Sequence, residues 1–352
     1  MRCPDKMQAL NLLFVWKPGF KSPRKAHATR EDTMDTSSDL RDAVEKYLHV
    51  RPQEVKIHEK PDDFFSINRG DIVFVDGLRY VISGTARERS LGLDDEPKYW
   101  VKYAYEVETG NRKIIKLIFH EQFSVKYGDY VIKCFRSPAK EGRALECVKG
   151  HPHFMQGHTA VAKGNQAIRV INHISGGTLL SRIENYAGTH ETYFHEFLPS
   201  LLGLFLPCVQ SLDVLHRSGI RHGDVRSDHL LLDKETGKLR WIDFDYDFVF
   251  SEAPFALDLL GIGNILSELV GKGERTIHNL RSNRRLTERL GSLTPEDFSV
   301  VEASRLMNWK KLYPYVPDSL NRVLMHFAAG AELHYESVSE IAEDLAYAAA
   351  IV

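Results

Sequence analysis

The residues best suited to chemistry are acids set beside short apolar runs. The segment IRHGDVRSDHLLLD, from Ile220 to Asp233, puts Asp224 in a polar loop just before an apolar strand. WIDFDYD, from Trp241 to Asp247, puts Asp243 directly after the next such strand. If the two strands form a hairpin, both carboxylates arrive at one end of it. That arrangement suits phosphoryl transfer, with one carboxylate orienting an acceptor hydroxyl and the other holding a metal. Asp243, Asp245 and Asp247 alternate and would share a face if the strand continued. The plainer reading of these acids is a pair of polar turns.

A cation is available in KIIKLIF, where Ile114, Lys116 and Ile118 share one face of a strand and Ile115, Leu117 and Phe119 the other. Lys116, flanked by apolar residues, needs an anionic partner. Glu141 lines up with Leu145 and Val148 at helical spacing on the face expected to be buried, whereas Glu146 points away from it. Such a buried pair would present an ammonium to a phosphate. Taken alone, the two residues read rather as a snorkelling lysine and a surface glutamate.

Elements that could position these groups follow from periodicity. Leu40, Val44, Tyr47 and Leu48 recur at helical spacing behind Ser37, Ser38 and Asp39, which predicts a capped amphipathic helix. From Phe64 to Phe119, short β-branched and aromatic runs alternate with turn signals at Asp76-Gly77 and Thr109-Gly110-Asn111, which predicts an antiparallel sheet. Ser137-Pro138 and Gly150 bracket a helix over roughly 138–149, and a strand is expected from Ala167 to Ile174. Helices dominate from Glu191 onward. The expected organisation is an extension over 1–36, a helix and linker over 37–62, a β-rich lobe over 63–174 and a mainly helical lobe over 175–352. Because folded-looking sequence begins beyond Met34, translation is expected to start there.

Composition narrows the function classes. The 352 residues are 43% hydrophobic and 27% charged, with 46 basic and 48 acidic side chains for a net charge of −2. That balance gives no electrostatic case for nucleic acid. The most apolar run, Phe197 to Val209, is interrupted by Pro199 and Pro207 and reads as the start of a buried helix, so no segment is expected to reach the roughly 20 apolar residues that span a bilayer. Cys3, Cys134, Cys147 and Cys208 are too far apart for a zinc ribbon or disulfide framework, which points to a reducing, cytoplasmic setting. His151, His153 and His158 in HPHFMQGH lack a cysteine or carboxylate at ligand spacing and read as structural.

Six motifs in order give a resemblance over roughly residues 70–350. ETGNRKIIK resembles the lysine-bearing third strand of the eukaryotic-type protein kinase superfamily, and EGRALECVKGHP its C-helix and following turn. RVINHISGGTL resembles the hinge, LHRSGIRHGDVRSDHLLLD the catalytic loop and WIDFD the metal-binding D-F-G. LDLLGIGNIL resembles the helix carrying a buried structural aspartate, here Asp258. The resemblance implies a bilobal α+β fold: a small antiparallel β-rich lobe with the C-helix and a larger, mainly helical lobe. It also implies ATP and a divalent metal, Mg²⁺ or Mn²⁺, in the cleft. Lys116 would bind phosphates, Glu141 would position it, and Asn172, His173 and Ile174 would offer hinge groups to adenine. Asp224 would orient the acceptor, Arg226 neutralise the transferring group and Asp243 hold the metal. Lys133 in YVIKCF is the second candidate for the strand lysine, and His222 is expected to pack beneath the catalytic loop.

Departures shape the functional expectation. His229 stands where the motif has a metal-binding asparagine, and an imidazole suits manganese better than magnesium. Asp228 and Asp245 are candidate substitutes, and Asp245 itself replaces the motif's glycine. The turn from Ser83 to Trp100 offers only Gly84 and Gly92 in place of a glycine-rich loop. The short interval from Asp243 to Asp258 and the H-G-D tripeptide are similar to aminoglycoside phosphotransferases. The expected activity is transfer from ATP to a protein Ser/Thr hydroxyl. The alternatives are a small-molecule kinase or a nucleotide-binding pseudokinase.

Overall fold

A computed structural model describes residues 37–88, 96–127, 130–137, 139–249, 253–275, 277–281 and 286–352. The expectations for residues 1–36 with Met34, for Gly92 and for Pro138 lie outside these residues.

The first lobe is built on a seven-stranded sheet of β1 (Ile57–His58), β2 (Ile72–Val75), β3 (Leu78–Glu88), β4 (Glu96–Glu106), β5 (Arg112–Leu117), β8 (Gly157–Ala162) and β9 (Gln166–Asn172). Their order is β1-β2-β3-β4-β5-β9-β8, with only β1–β2 parallel. Asp76 and Gly77, at φ 52° and 77°, form the two-residue turn between β2 and β3, where the backbone twist of a hairpin demands left-handed residues. One sheet face buries Val73, Val75, Tyr80, Ile82, Ile115, Ile168 and Val170. On the other, helix α1 (Ser37–Leu48) packs Leu40, Val44 and Leu48 against Ile72 and Val81.

Between β5 and helix α2 (Lys140–Cys147) the chain inserts a hairpin, β6 (Glu121–Tyr127) and β7 (Tyr130–Arg136). α2 is shorter than the expected 138–149, and Ser137 Oγ accepts a hydrogen bond from the Lys140 amide at its start. Lys133 lies on β7 facing solvent.

The second lobe holds a small sheet of β10 (Gly176–Thr178), β11 (Leu230–Asp233) and β12 (Leu239–Trp241), then β13 (Tyr246–Phe248), which pairs with β7 of the inserted hairpin. Its helices are α3 (Leu179–Glu184), α4 (His190–Glu196), α5 (Leu198–Arg217), α6 (Ala256–Gly271), α7 (Ile277–Arg281), α8 (Thr287–Leu290), α9 (Asp318–Met325) and α10 (Val338–Ala349). One apolar core joins α5, α6, α9 and α10, and takes in Leu145 and Val148 of α2. The fold is the bilobal α+β arrangement that the resemblance implies.

α5 is the buried helix expected to start in the run from Phe197 to Val209, and it extends further than the prolines suggested. It runs 20 residues straight through Pro207, and by length and composition it is apolar enough to cross a membrane. An interior proline costs about 3 kcal/mol. Burial outweighs it: Leu201, Leu202, Phe205, Val209, Leu212 and Leu215 are all fully buried, each contributing about 1.5–3 kcal/mol relative to exposure. The buried face packs on α6 and α10, as a core helix does.

Candidate active site

Strand β5 holds Lys116 in mid-sheet, opposite Val101 and Arg169. Its Nζ lies 2.9 Å from Glu141 Oε1, 2.5 Å from Asp243 Oδ1 and 2.9 Å from Asp245 Oδ2. The structure thus unites the lysine, the helix glutamate and the aspartate of WIDFD. Burial works to lower the lysine's pKa, but the three carboxylates outweigh it and hold the group well above its ordinary range. Burial raises the pKa of Glu141 against the pull of Lys116. Asp243 falls well below the usual carboxylate range, because Lys116, Lys98 and His229 outweigh its burial. Lys98 Nζ stands 3.5 Å from Asp243 Oδ2, and Arg169 Nε 3.7 Å from Glu141 Oε2. Asp243 has φ 62°, a left-handed conformation that an aspartate tolerates better than most residues and that is common at functional sites.

β11 and β12 form the expected hairpin and bring Asp224 and Asp243 to opposite sides of His229. His229 Nδ1 lies 3.0 Å from the Asp224 carbonyl oxygen and 3.3 Å from Asp224 Oδ2. A carbonyl only accepts, so Nδ1 carries a hydrogen, and in the neutral ring Nε2 keeps the lone pair. Nε2 is 3.8 Å from Asp243 Oδ2. Burial raises the pKa of Asp224, opposed by His229 and Arg226.

The loop carrying Asp224 rests on a buried scaffold. Asp258 on α6 is fully buried and accepts the amides of His222 at 2.7 Å and Gly223 at 2.8 Å, with His216 Nε2 at 3.0 Å. His222 packs edge-on to Trp241 and Phe244 and accepts the Asp224 amide at Nδ1. Burial pushes its pKa down to about 3, which keeps that nitrogen free to accept. Gly223 explains H-G-D: it sits at φ 87°, and a Cβ there would lie 2.0 Å from the Tyr246 carbonyl oxygen. Gly223→Ala should therefore displace the loop, costing more than about 1 kcal/mol of stability by denaturant unfolding. An unshifted midpoint would contradict this.

Other expected residues are placed differently. Asp228, a candidate substitute for the missing asparagine, has its carboxylate bound by Arg226, 3.0 Å from Nε. Arg226 is thereby paired with a neighbour two residues away. Asp245 is drawn to Lys116 and Arg136. Asp247 leaves the face of Asp243 and pairs with Arg221 at 2.7 Å. In the hinge stretch, the amides of Asn172 and His173 donate to Gln156 O and Arg112 O, and Ser175 O accepts from Lys234. The amides of Asn172 and His173 are thus engaged within the protein. His153 Nδ1 lies 2.9 Å from Leu239 O, a structural bond.

Sequence reasoning missed Lys98, Arg136, Lys140 and Arg169. Lys140 is almost fully buried and donates to His222 O at 2.6 Å and Tyr246 O at 2.5 Å, tying α2 to the catalytic loop. Burial lowers its pKa to about 8. Its place directly before Glu141, at the start of α2, was the only signal available.

No family model matches the chain. A stretch of 105 residues, 30% of the chain, is 33% identical to CBL-interacting protein kinase 22 of Oryza sativa subsp. japonica and covers 22% of that protein. A stretch of 156 residues, 44% of the chain, is 26% identical to CBL-interacting serine/threonine-protein kinase 17 of Arabidopsis thaliana and covers 32% of it. The chain is protein kinase-like in sequence. It spans less than a third of the length of these two relatives, 22% and 32%. Among solved structures, the Cydia pomonella granulovirus kinase PK-1 aligns over 68% of this chain and 88% of its own, with 15% identity and a TM-score of 0.42.

Proposed function

We propose that the chain is an ATP-dependent phosphotransferase that moves the γ-phosphoryl group to a Ser or Thr hydroxyl of a protein. The observation that carries this reading is the convergence of Lys116, held by Glu141, with Asp243 and, across His229, with Asp224. In this role Lys116 anchors phosphates, Asp224 orients the acceptor hydroxyl, Arg226 offsets charge on the transferring group and Ile174 contacts adenine. The donors Asp243 Oδ2 and His229 Nε2 fit a divalent cation, and a bound cation would neutralise phosphate charge. The imidazole favours Mn²⁺ over Mg²⁺. The acceptor class rests on the serine/threonine-protein kinase relative. A small-molecule acceptor is the second reading, motivated by the short interval from Asp243 to Asp258.

The test is transfer of labelled γ-phosphate to generic protein, to the chain itself and to small hydroxyl compounds, with Mg²⁺ and Mn²⁺ in parallel. Transfer only to small compounds supports the second reading. Nucleotide binding without any transfer supports a scaffold. In the same assay His229→Asn should raise activity with Mg²⁺ relative to Mn²⁺ by about 10-fold; an unchanged ratio would remove His229 from the metal.

A further inference from the structure

Asp245 and Arg136 are two features that the kinase-like motifs do not account for, and they meet. Asp245 occupies the glycine position of D-F-G, and Arg136 ends the inserted hairpin, 109 residues away in sequence. The two side chains form a buried ion pair, Arg136 Nη1 to Asp245 Oδ2. Around it, Arg136 Nη2 donates to Tyr246 Oη at 2.6 Å, and Arg136 Cζ lies 4.5 Å from the Tyr246 ring centre, 5.0 Å from that of Phe119 and 5.2 Å from that of Trp100. A planar guanidinium suits such a box of rings better than an ammonium does. The backbone follows the same path: Tyr246 pairs with Arg136 and Phe248 with Cys134, and the Ser137 amide donates to Asp245 O.

The electrostatic consequence falls on Lys116. Asp245 is 2% exposed and its Oδ2 is 2.9 Å from Lys116 Nζ, so it competes for the ammonium that Glu141 and Asp243 share. A buried carboxylate without its own cation would take the lysine from them. Among the described residues Asp245 Oδ1 has no hydrogen-bond partner, and Asp245 lines a cavity of about 10 Å³, the size of one water, with Lys116, Arg136, Ser137 and Glu141. Arg136 is therefore the counter-charge that the extra aspartate requires.

We propose that Arg136 is a positioning residue: reaching from the inserted hairpin, it neutralises Asp245 and so leaves Lys116 shared between Glu141 and Asp243. This deepens the phosphotransferase reading and rests on it. The experiment is a cycle of Arg136→Gln, Asp245→Asn and the double variant, read as labelled phosphate transfer and, separately, as affinity for ATP with Mn²⁺. Arg136→Gln should lower both readouts, transfer by about 10- to 100-fold. Adding Asp245→Asn should bring the protein back to within about threefold of Asp245→Asn alone. Arg136→Lys, which keeps the charge and loses the planar fork, should retain transfer within about tenfold of the parent.

A purely structural arginine predicts the opposite: the double variant no better than Arg136→Gln, and the lysine variant no better than glutamine. Either result overturns the proposal. If the parent chain transfers no phosphate but the cycle still couples in ATP affinity, the positioning role stands and the phosphotransferase reading falls. Absence of coupling in both readouts, including through absence of nucleotide binding, overturns the role of Arg136.

Discussion

Asp224→Asn should reduce phosphoryl transfer by about 10²- to 10⁴-fold while ATP affinity changes little. The side chain lies outside the Lys116 cluster and touches His229 at 3.3 Å, so its removal leaves Lys116, Glu141 and Asp243 in place. Asparagine keeps the shape and the polar contact with the imidazole. It removes the charge that would draw a hydroxyl proton, and so separates chemistry from binding. Initial-rate transfer alongside a nucleotide-binding titration makes the comparison. A variant as active as the parent, or one that no longer binds ATP, would remove Asp224 from the acceptor side.

The second large effect is on stability. Asp258→Ala strands the buried His222 amide and the part-buried Gly223 amide and His216 imidazole, each unmade hydrogen bond costing about 1–3 kcal/mol, for a total near 3–5 kcal/mol. Against an ordinary stability of about 5–15 kcal/mol, that is enough to unfold much of the protein. The group also sets a pH dependence. Its burial acts to raise the pKa, but the bond from His216 and the amides of the loop outweigh it and leave the folded value lowered. A depressed carboxylate contributes stability that is fully present above the unfolded value of about 3.9 and is lost as pH falls through the lower folded value. Denaturant unfolding of parent and variant should therefore differ most near neutrality and converge at strongly acid pH. A constant difference down to acid would mean that the carboxylate charge is not what holds the loop.

The residues behind these two effects differ in how far they were legible in the sequence. Asp224, Asp243 and Lys116 stood out because each sits at a fixed offset from an apolar run, and strand alternation assigns their faces. Glu141 was reachable because helical spacing aligns it with Leu145 and Val148, both buried in the structure. The glycine of H-G-D read as a departure from a motif. Its cause is a carbonyl oxygen 2.0 Å from where a Cβ would sit, contributed by a residue over twenty positions later, Tyr246. α5 was legible only in part: its apolar start read as a buried helix, but its continuation through Pro207 was not, because proline propensity is local whereas the burial that overrides it belongs to the assembled core.

Short-range spacing in the sequence alone determined the order of the lobes, the alternation of the small sheet and the identity of the central lysine and the two acids. Pairings across the chain were decided only by tertiary structure: Arg136 with Asp245, Lys140 with His222, and Asp258 with the loop before Asp224. Periodicity reports which way a side chain leaves its own strand or helix. It carries no information about which distant element that side chain meets, because register between strands and the seating of helices are settled by packing of the whole core.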